Sequence, residues 1–121
     1  MSRPETTVLS FSNDPEELRA REAAIRSSGF DVISVSSEVA ARFEIEMGRC
    51  GVLLICYTIP PSVAKELAGL FRVNCPTGVI IVISTEQKPI LGDADVIIPA
   101  SHGPDAILRS LHTNVQLPKA G

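Results

Sequence analysis

Apolar positions along the chain follow two rhythms that alternate from one end to the other. Residues 6–12 (TTVLSFS), 30–36 (FDVISVS), 52–57 (VLLICY), 79–83 (VIIVI) and 95–98 (DVII) are short runs rich in β-branched residues, the composition of strands. Between them, four sets of apolar residues recur at helical spacing: Leu18 with Ile25, then Val39, Ala40, Phe43 and Met47, then Val63, Leu67, Leu70 and Phe71, then Ile107, Leu108 and Leu111. Each set predicts one inward face of a helix. The stretch Asn13-Asp14-Pro15-Glu16-Glu17 reads as a helix start, with Asp14 as the cap, Pro15 in the first helical position and Glu17 as the carboxylate of a capping box. Gly29 is placed to end that helix. The runs at 52–57 and 79–83 are continuous rather than alternating, which predicts central parallel strands covered on both faces.

Five strands alternating with helices predict an α/β fold: an open, flavodoxin-like five-stranded parallel sheet with right-handed crossovers. Functional groups in such sheets gather beyond the carboxyl ends of the strands, here residues 12–14, 56–59, 84–85 and 100–102. Ten residues separate Ser84 from Asp95, and they include Pro89 and Gly92. The fourth helix of the alternation is therefore expected to be shortened to one turn or missing. Its loss should uncover the sheet near Val82 and Ile97 and leave an association surface at Ile90 and Leu91.

The 121 residues, 45% apolar and 21% charged, suit one domain over residues 1–115 followed by a C-terminal tail, 116–121, expected to fray. A net charge of -3 without a basic run, and few aromatics for stacking, disfavour nucleic-acid binding. No apolar run reaches the ~18 residues of a membrane span, and residues 1–10 lack the organisation of a signal peptide, so a cytoplasmic protein off the membrane is expected.

Candidate chemistry is sparse. Cys50, Cys56 and Cys75 lack CxxC or His-flanked spacing, so neither a disulfide framework nor a zinc site is indicated, and small buried hydrophobes are expected. Cys56 holds a position at the sheet's functional edge where a thiolate would serve as a redox sensor, and His102 follows the last strand where it could pair with that thiol. An exposed turn is the simpler reading of His102, and a surface position that of His112. Gly48 and Gly51 precede a strand rather than follow one, and no GK[ST] occurs, so no phosphate-cradling loop is present. The charges Glu16, Glu17, Arg19, Arg21, Glu22 and Arg26 read as a solvated helix face that could also serve in docking.

The segments VLSFSNDPEEL (8–18), VLLICYTIP (52–60), VIIVIST (79–85) and ADVIIPASHGPDAIL (94–108) together resemble the receiver domain of bacterial two-component response regulators, over roughly residues 6–115. The resemblance implies strand order 2-1-3-4-5 and transfer of a phosphoryl group from a histidine kinase to an aspartate after strand 3. It also implies an acidic pair after strand 1, a Thr or Ser after strand 4 and a Lys-Pro pair after strand 5. Here those positions carry Ser12 and Asn13 for the acidic pair, Cys56 for the acceptor and Ala100-Ser101 for Lys-Pro. Ser84 keeps the hydroxyl, and Asp14-Pro15, Ile59-Pro60 and Pro104 keep the pattern.

Phosphoryl transfer needs a hard cation held by carboxylate oxygens. Ser12, Asn13 and Cys56 bring no formal negative charge, and Asp14 alone makes a poor Mg²⁺ site. The sequence thus predicts a pseudo-receiver without catalytic activity, metal or cofactor, acting through protein–protein association with a signalling protein or with itself. Only seven residues follow Asn114, so signalling is expected to pass through that association. The alternatives are a flavodoxin-like module for a small ligand or nucleotide, and a thiol redox sensor using Cys56.

Overall fold

Strand β1 (Thr7–Phe11) and strand β3 (Val52–Ile55) are buried at every residue, as continuous apolar or small sequences must be when helices cover both faces of a sheet. They lie side by side in a five-stranded parallel sheet completed by β2 (Asp31–Val35), β4 (Val79–Ser84) and β5 (Val96–Pro99), in the order β2-β1-β3-β4-β5. Both apolar runs are internal, as the pattern required. The computed structural model describes residues 4–85 and 94–115. Four α-helices occur among them: α1 (Pro15–Ser27), α2 (Glu38–Glu46), α3 (Pro61–Asn74) and α4 (Gly103–Asn114). The expected shortening of a helix after β4, the surface at Ile90 and Leu91, and the tail at 116–121 fall outside the described residues.

Alternation along the strands divides the core in two. Leu9, Phe11, Leu53, Ile55, Ile80 and Val82 join Ala41, Ile45, Leu67 and Phe71 in one cluster, with α2 and α3. Val8, Val52, Leu54, Ile81 and Ile83 join Ile25, Ile107 and Leu111 in the other, with α1 and α4. The β3–β4 register, Leu53 beside Ile80 and Leu54 beside Ile81, keeps like faces together. Asp95 fixes the start of β5: its carboxylate accepts from the Ile80 N–H at 2.8 Å and pairs with Arg72 at 2.7 Å.

Two expectations require correction. On α2 the buried residues are Ala41 and Ile45, whereas Val39, Phe43 and Met47 are 80%, 52% and 54% exposed. The helix carries two apolar stripes about half a turn apart. The narrower one faces the cluster shared with Ala64 and Ala68 of α3, because small residues let helix and sheet approach closely. Val82 is also buried, at 7%, within the α3-side cluster, while Ile97 on the edge strand is 40% exposed. Of the two positions expected to be uncovered, only Ile97 is.

Candidate functional site

The carboxyl ends of β1, β3, β4 and β5 bring Ser12, Asn13, Asp14, Cys56, Ser84 and Ala100 to one edge of the sheet, where the fold presents loops rather than ladders. Within that edge the side chains divide into two networks. In the first, Ser12 is fully buried, with its Oγ 3.2 Å from Thr58 Oγ1 and accepting the Asp14 N–H at 3.1 Å. Asn13 turns to the same loop: its backbone N–H donates to Thr58 Oγ1 at 3.1 Å and its Nδ2 to the Thr58 carbonyl at 3.3 Å. Asp14 caps α1 by accepting from the N–H groups of Glu16 and Glu17 at 2.9 and 3.4 Å, as its sequence context predicted.

The second network is centred on Glu17. Cys56 is 2% exposed, and its Sγ–H donates to Glu17 Oε2 at 3.0 Å. Tyr57 donates its hydroxyl to Oε1 at 2.8 Å, and Arg21 pairs with Oε2 at 3.0 Å. Burial pushes the Glu17 carboxyl up, but the hydrogen bonds from Cys56 and Tyr57 and the Arg21 charge outweigh it, and the group ends below the ordinary carboxylate value. The same hydrogen bond, with the Glu17 charge behind it, raises the Tyr57 hydroxyl. Glu17 does not complete a capping box, since the Asp14 N–H that it would accept goes to Ser12. Nor do all the α1 charges form a solvated face, because Arg21 is 8% exposed and paired with Glu17.

The sequence reading placed Glu17 in a capping box and Glu17 and Arg21 on a charged helix face, and assigned neither of them, nor Tyr57 or Thr58, to this edge. The four-residue spacing of Glu17 and Arg21 signals an ion pair on a helix. Nothing in it tells which way that pair faces.

Ser84 is half-buried at the end of β4, opposite Pro99. Ala100 is half-buried and lines a cavity of 170 Å³ between α1 and α4. His102 is exposed on the turn after β5 and lines a different cavity, with Arg109 and Thr113, so it is not brought to the Cys56 thiol, which is engaged with Glu17. His112 is exposed, its ring tilted against Phe30 at 5.5 Å. The three cysteines are free. Burial, with Cys75 and Glu44 nearby, pushes Cys50 up to about 12.

The receiver resemblance implies a divalent cation at this edge, and the donor set among the described residues does not fit one. Among the described residues no group of three or more His, Cys, Asp or Glu side chains is arranged to hold a metal ion. Ser12 and Asn13 are committed to Thr58, Asp14 to the helix cap, and Cys56 offers a soft sulfur where Mg²⁺ wants oxygen. Among the described residues no helix is long and apolar enough to cross a membrane.

No family model and no curated protein matches the chain. Solved structures do. The response regulator TrrA of Thermotoga maritima, in complex with Mg²⁺ and a beryllium fluoride, aligns with a TM-score of 0.78 at 14% identity over 91% of this chain and 99% of its own. The chemotaxis protein CheY4 of Vibrio cholerae aligns at 0.76 and 14%, over 91% and 98% of the two chains. A response regulator receiver protein of Sinorhizobium medicae aligns at 0.77 and 19%, over 89% and 92%. The fold of this chain, its strand order and its coverage of whole neighbouring domains are those of CheY-like response regulator receiver domains.

Proposed function

We propose that the chain is a receiver-fold signalling domain that accepts no phosphoryl group and acts, without catalysing a reaction, by binding a protein in a two-component-type pathway of the cytoplasm. The fold supports the signalling part, and a solved complex of TrrA with the histidine kinase ThkA is among the structures that the chain matches. The observation that carries the rest is Cys56. It stands at the position that the receiver resemblance gives to the acceptor aspartate, and its hydrogen is given to Glu17 rather than its sulfur to the loop edge. Around it, Ser12, Asn13 and Thr58 satisfy one another, and the described residues offer no cluster of carboxylate oxygens to hold the cation that would neutralise a transferred phosphoryl group.

Incubation with acetyl phosphate, or with beryllium fluoride and Mg²⁺, is expected to leave the intact mass and the amide NMR spectrum unchanged. A stoichiometric adduct or a Mg²⁺-dependent shift of the loop amides overturns the proposal. Cys56→Asp alone is expected to remain inert, since Ser12 and Asn13 still bring no charge to hold the cation. The association surface is proposed at Ile90 and Leu91. Light scattering and partner capture with wild type and the Ile90→Asp/Leu91→Asp double variant test it, and an unchanged association in the variant removes it.

A further inference from the structure

The outer stripe of α2 serves neither the core nor the functional edge. Among the described residues five large hydrophobic side chains are exposed, and Val39, Phe43 and Met47 are three of them. They stand one turn apart along a single helix and its C-cap, opposite the buried Ala41 and Ile45. They therefore form one patch rather than three isolated residues, and a clustered apolar patch marks an association site. Arg49 stands over one face of the Phe43 ring, 5.4 Å from its centroid, and still leaves that residue 52% exposed.

We propose that this stripe binds the same stripe of a second copy of the chain, as an antiparallel helix pair about a two-fold axis at Phe43. The pattern is its own complement. An aromatic with one apolar residue a turn to either side returns to itself under such an axis, which sets Phe43 against the partner's Phe43 and Val39 against the partner's Met47. The charges select both the occupant and the direction. Arg42 and Glu46 lie on the same flank of the stripe, one turn apart. Arg42 uses only Nη2 for Glu38 and Glu66, at 3.3 and 3.0 Å, which leaves Nη1 and Nε for an acceptor on another molecule. Glu46 is exposed, and unlike Glu38 and Glu44 on the same helix its carboxylate pairs with no cation among the described residues. In the antiparallel pair Arg42 and the partner's Glu46 are offset by two residues, about 3 Å along the axis, so an ion pair closes on each side of the two-fold. The two Arg42 side chains are as near one another along the axis, and each keeps Glu38 and Glu66 of its own copy. A parallel pair would set this flank against the one that carries Glu44, where Glu46 meets a like charge. A partner surface of one sign would satisfy only one of Arg42 and Glu46. A nine-residue helix buries less than the roughly 1,000 Å² of a stable interface, so the dimer is weak. A signalling role for it rests on the association reading above; the contact itself does not.

The test is sedimentation equilibrium of the full chain at concentrations up to about 1 mM. Wild type is expected to show a monomer–dimer equilibrium with a Kd on the order of 0.1 mM. Phe43→Ser should raise that Kd about tenfold or more by removing the centre of the patch. Glu46→Lys keeps the apolar stripe but sets a lysine beside the partner's Arg42, and should raise the Kd about threefold or more. Both positions are exposed, so the variants keep the fold, which circular dichroism checks. The Ile90→Asp/Leu91→Asp double variant should dimerise as wild type does. A wild type that stays monomeric throughout, undiminished dimerisation of Phe43→Ser or Glu46→Lys, or loss of the dimer in the Ile90→Asp/Leu91→Asp variant each overturns the proposal. None of these results bears on inertness to acetyl phosphate, so failure here is distinguishable from failure of the reading of Cys56.

Discussion

The Cys56 thiol and the Glu17 carboxylate, 39 residues apart in sequence, meet at 3.0 Å across the gap between β3 and the first turn of α1. This contact ties the loop after the central strand to the first turn of α1. Tyr57 and Arg21 complete it, so one carboxylate is the acceptor for a thiol, a phenol and a guanidinium.

Removing the Glu17 charge should be more damaging than its half-buried position suggests. Glu17→Gln leaves Arg21, 8% exposed, without its counter-ion, and loss of one member of a buried pair costs about 3 kcal/mol. The Glu17→Gln/Arg21→Met double variant, which removes both charges, is expected to recover much of that loss when set beside Glu17→Gln and Arg21→Met alone. Denaturant midpoints of the single and double variants complete the cycle. Additive losses would show that the pair is not coupled.

The depressed Glu17 carboxyl makes stability depend on pH in a defined direction. A group held lower in the folded than in the unfolded state contributes stability above its unfolded value and loses it as pH falls through the folded one. Wild type should therefore lose stability from the ordinary carboxylate range downward. Glu17→Gln should show a shallower acid limb. Parallel acid limbs for the two proteins in thermal denaturation would place the dependence elsewhere.

The thiols should separate by environment. Cys50 is 3% exposed and pushed up to about 12, Cys56 is 2% exposed and bonded to Glu17, and Cys75 is half-buried. A thiol reagent at neutral pH is expected to label Cys75 first in the native protein, and all three in denaturant. Rapid labelling of Cys56 by mass mapping would instead favour a redox role for that residue.

Substitutions in the core and on the exposed stripe of α2 should diverge. Leu67→Ala on α3 and Ile81→Ala in β4 remove fully buried side chains and should each cost roughly 2 to 5 kcal/mol. Val39→Ser on the outer stripe of α2 and Met47→Gln at its C-cap should each stay within about 0.5 kcal/mol of wild type. Equilibrium unfolding of the four variants checks both the core assignment and the corrected orientation of α2.

The sequence by itself determined the strands, the helices and their order. Continuous apolar runs such as 52–57 and 79–83 have few alternatives to internal parallel strands, and Asp14 with Pro15 states a helix start through local hydrogen bonding and a fixed φ. Such signals are carried by neighbours within a few positions, which is why they survive without knowledge of the fold. Positions at the functional edge followed as well, since the ends of parallel strands converge whatever their side chains. Only the tertiary structure decided which apolar stripe of α2 faces the core, because Val39-Phe43-Met47 and Ala41-Ile45 both repeat at helical spacing and the choice depends on how closely α3 and the sheet approach. It alone decided the partners of Glu17. A carboxylate's affinity for a thiol, a phenol or a guanidinium is the same everywhere along a chain, and which of them it meets is set by the rotation of α1 over β3, a long-range packing result that local spacing does not encode.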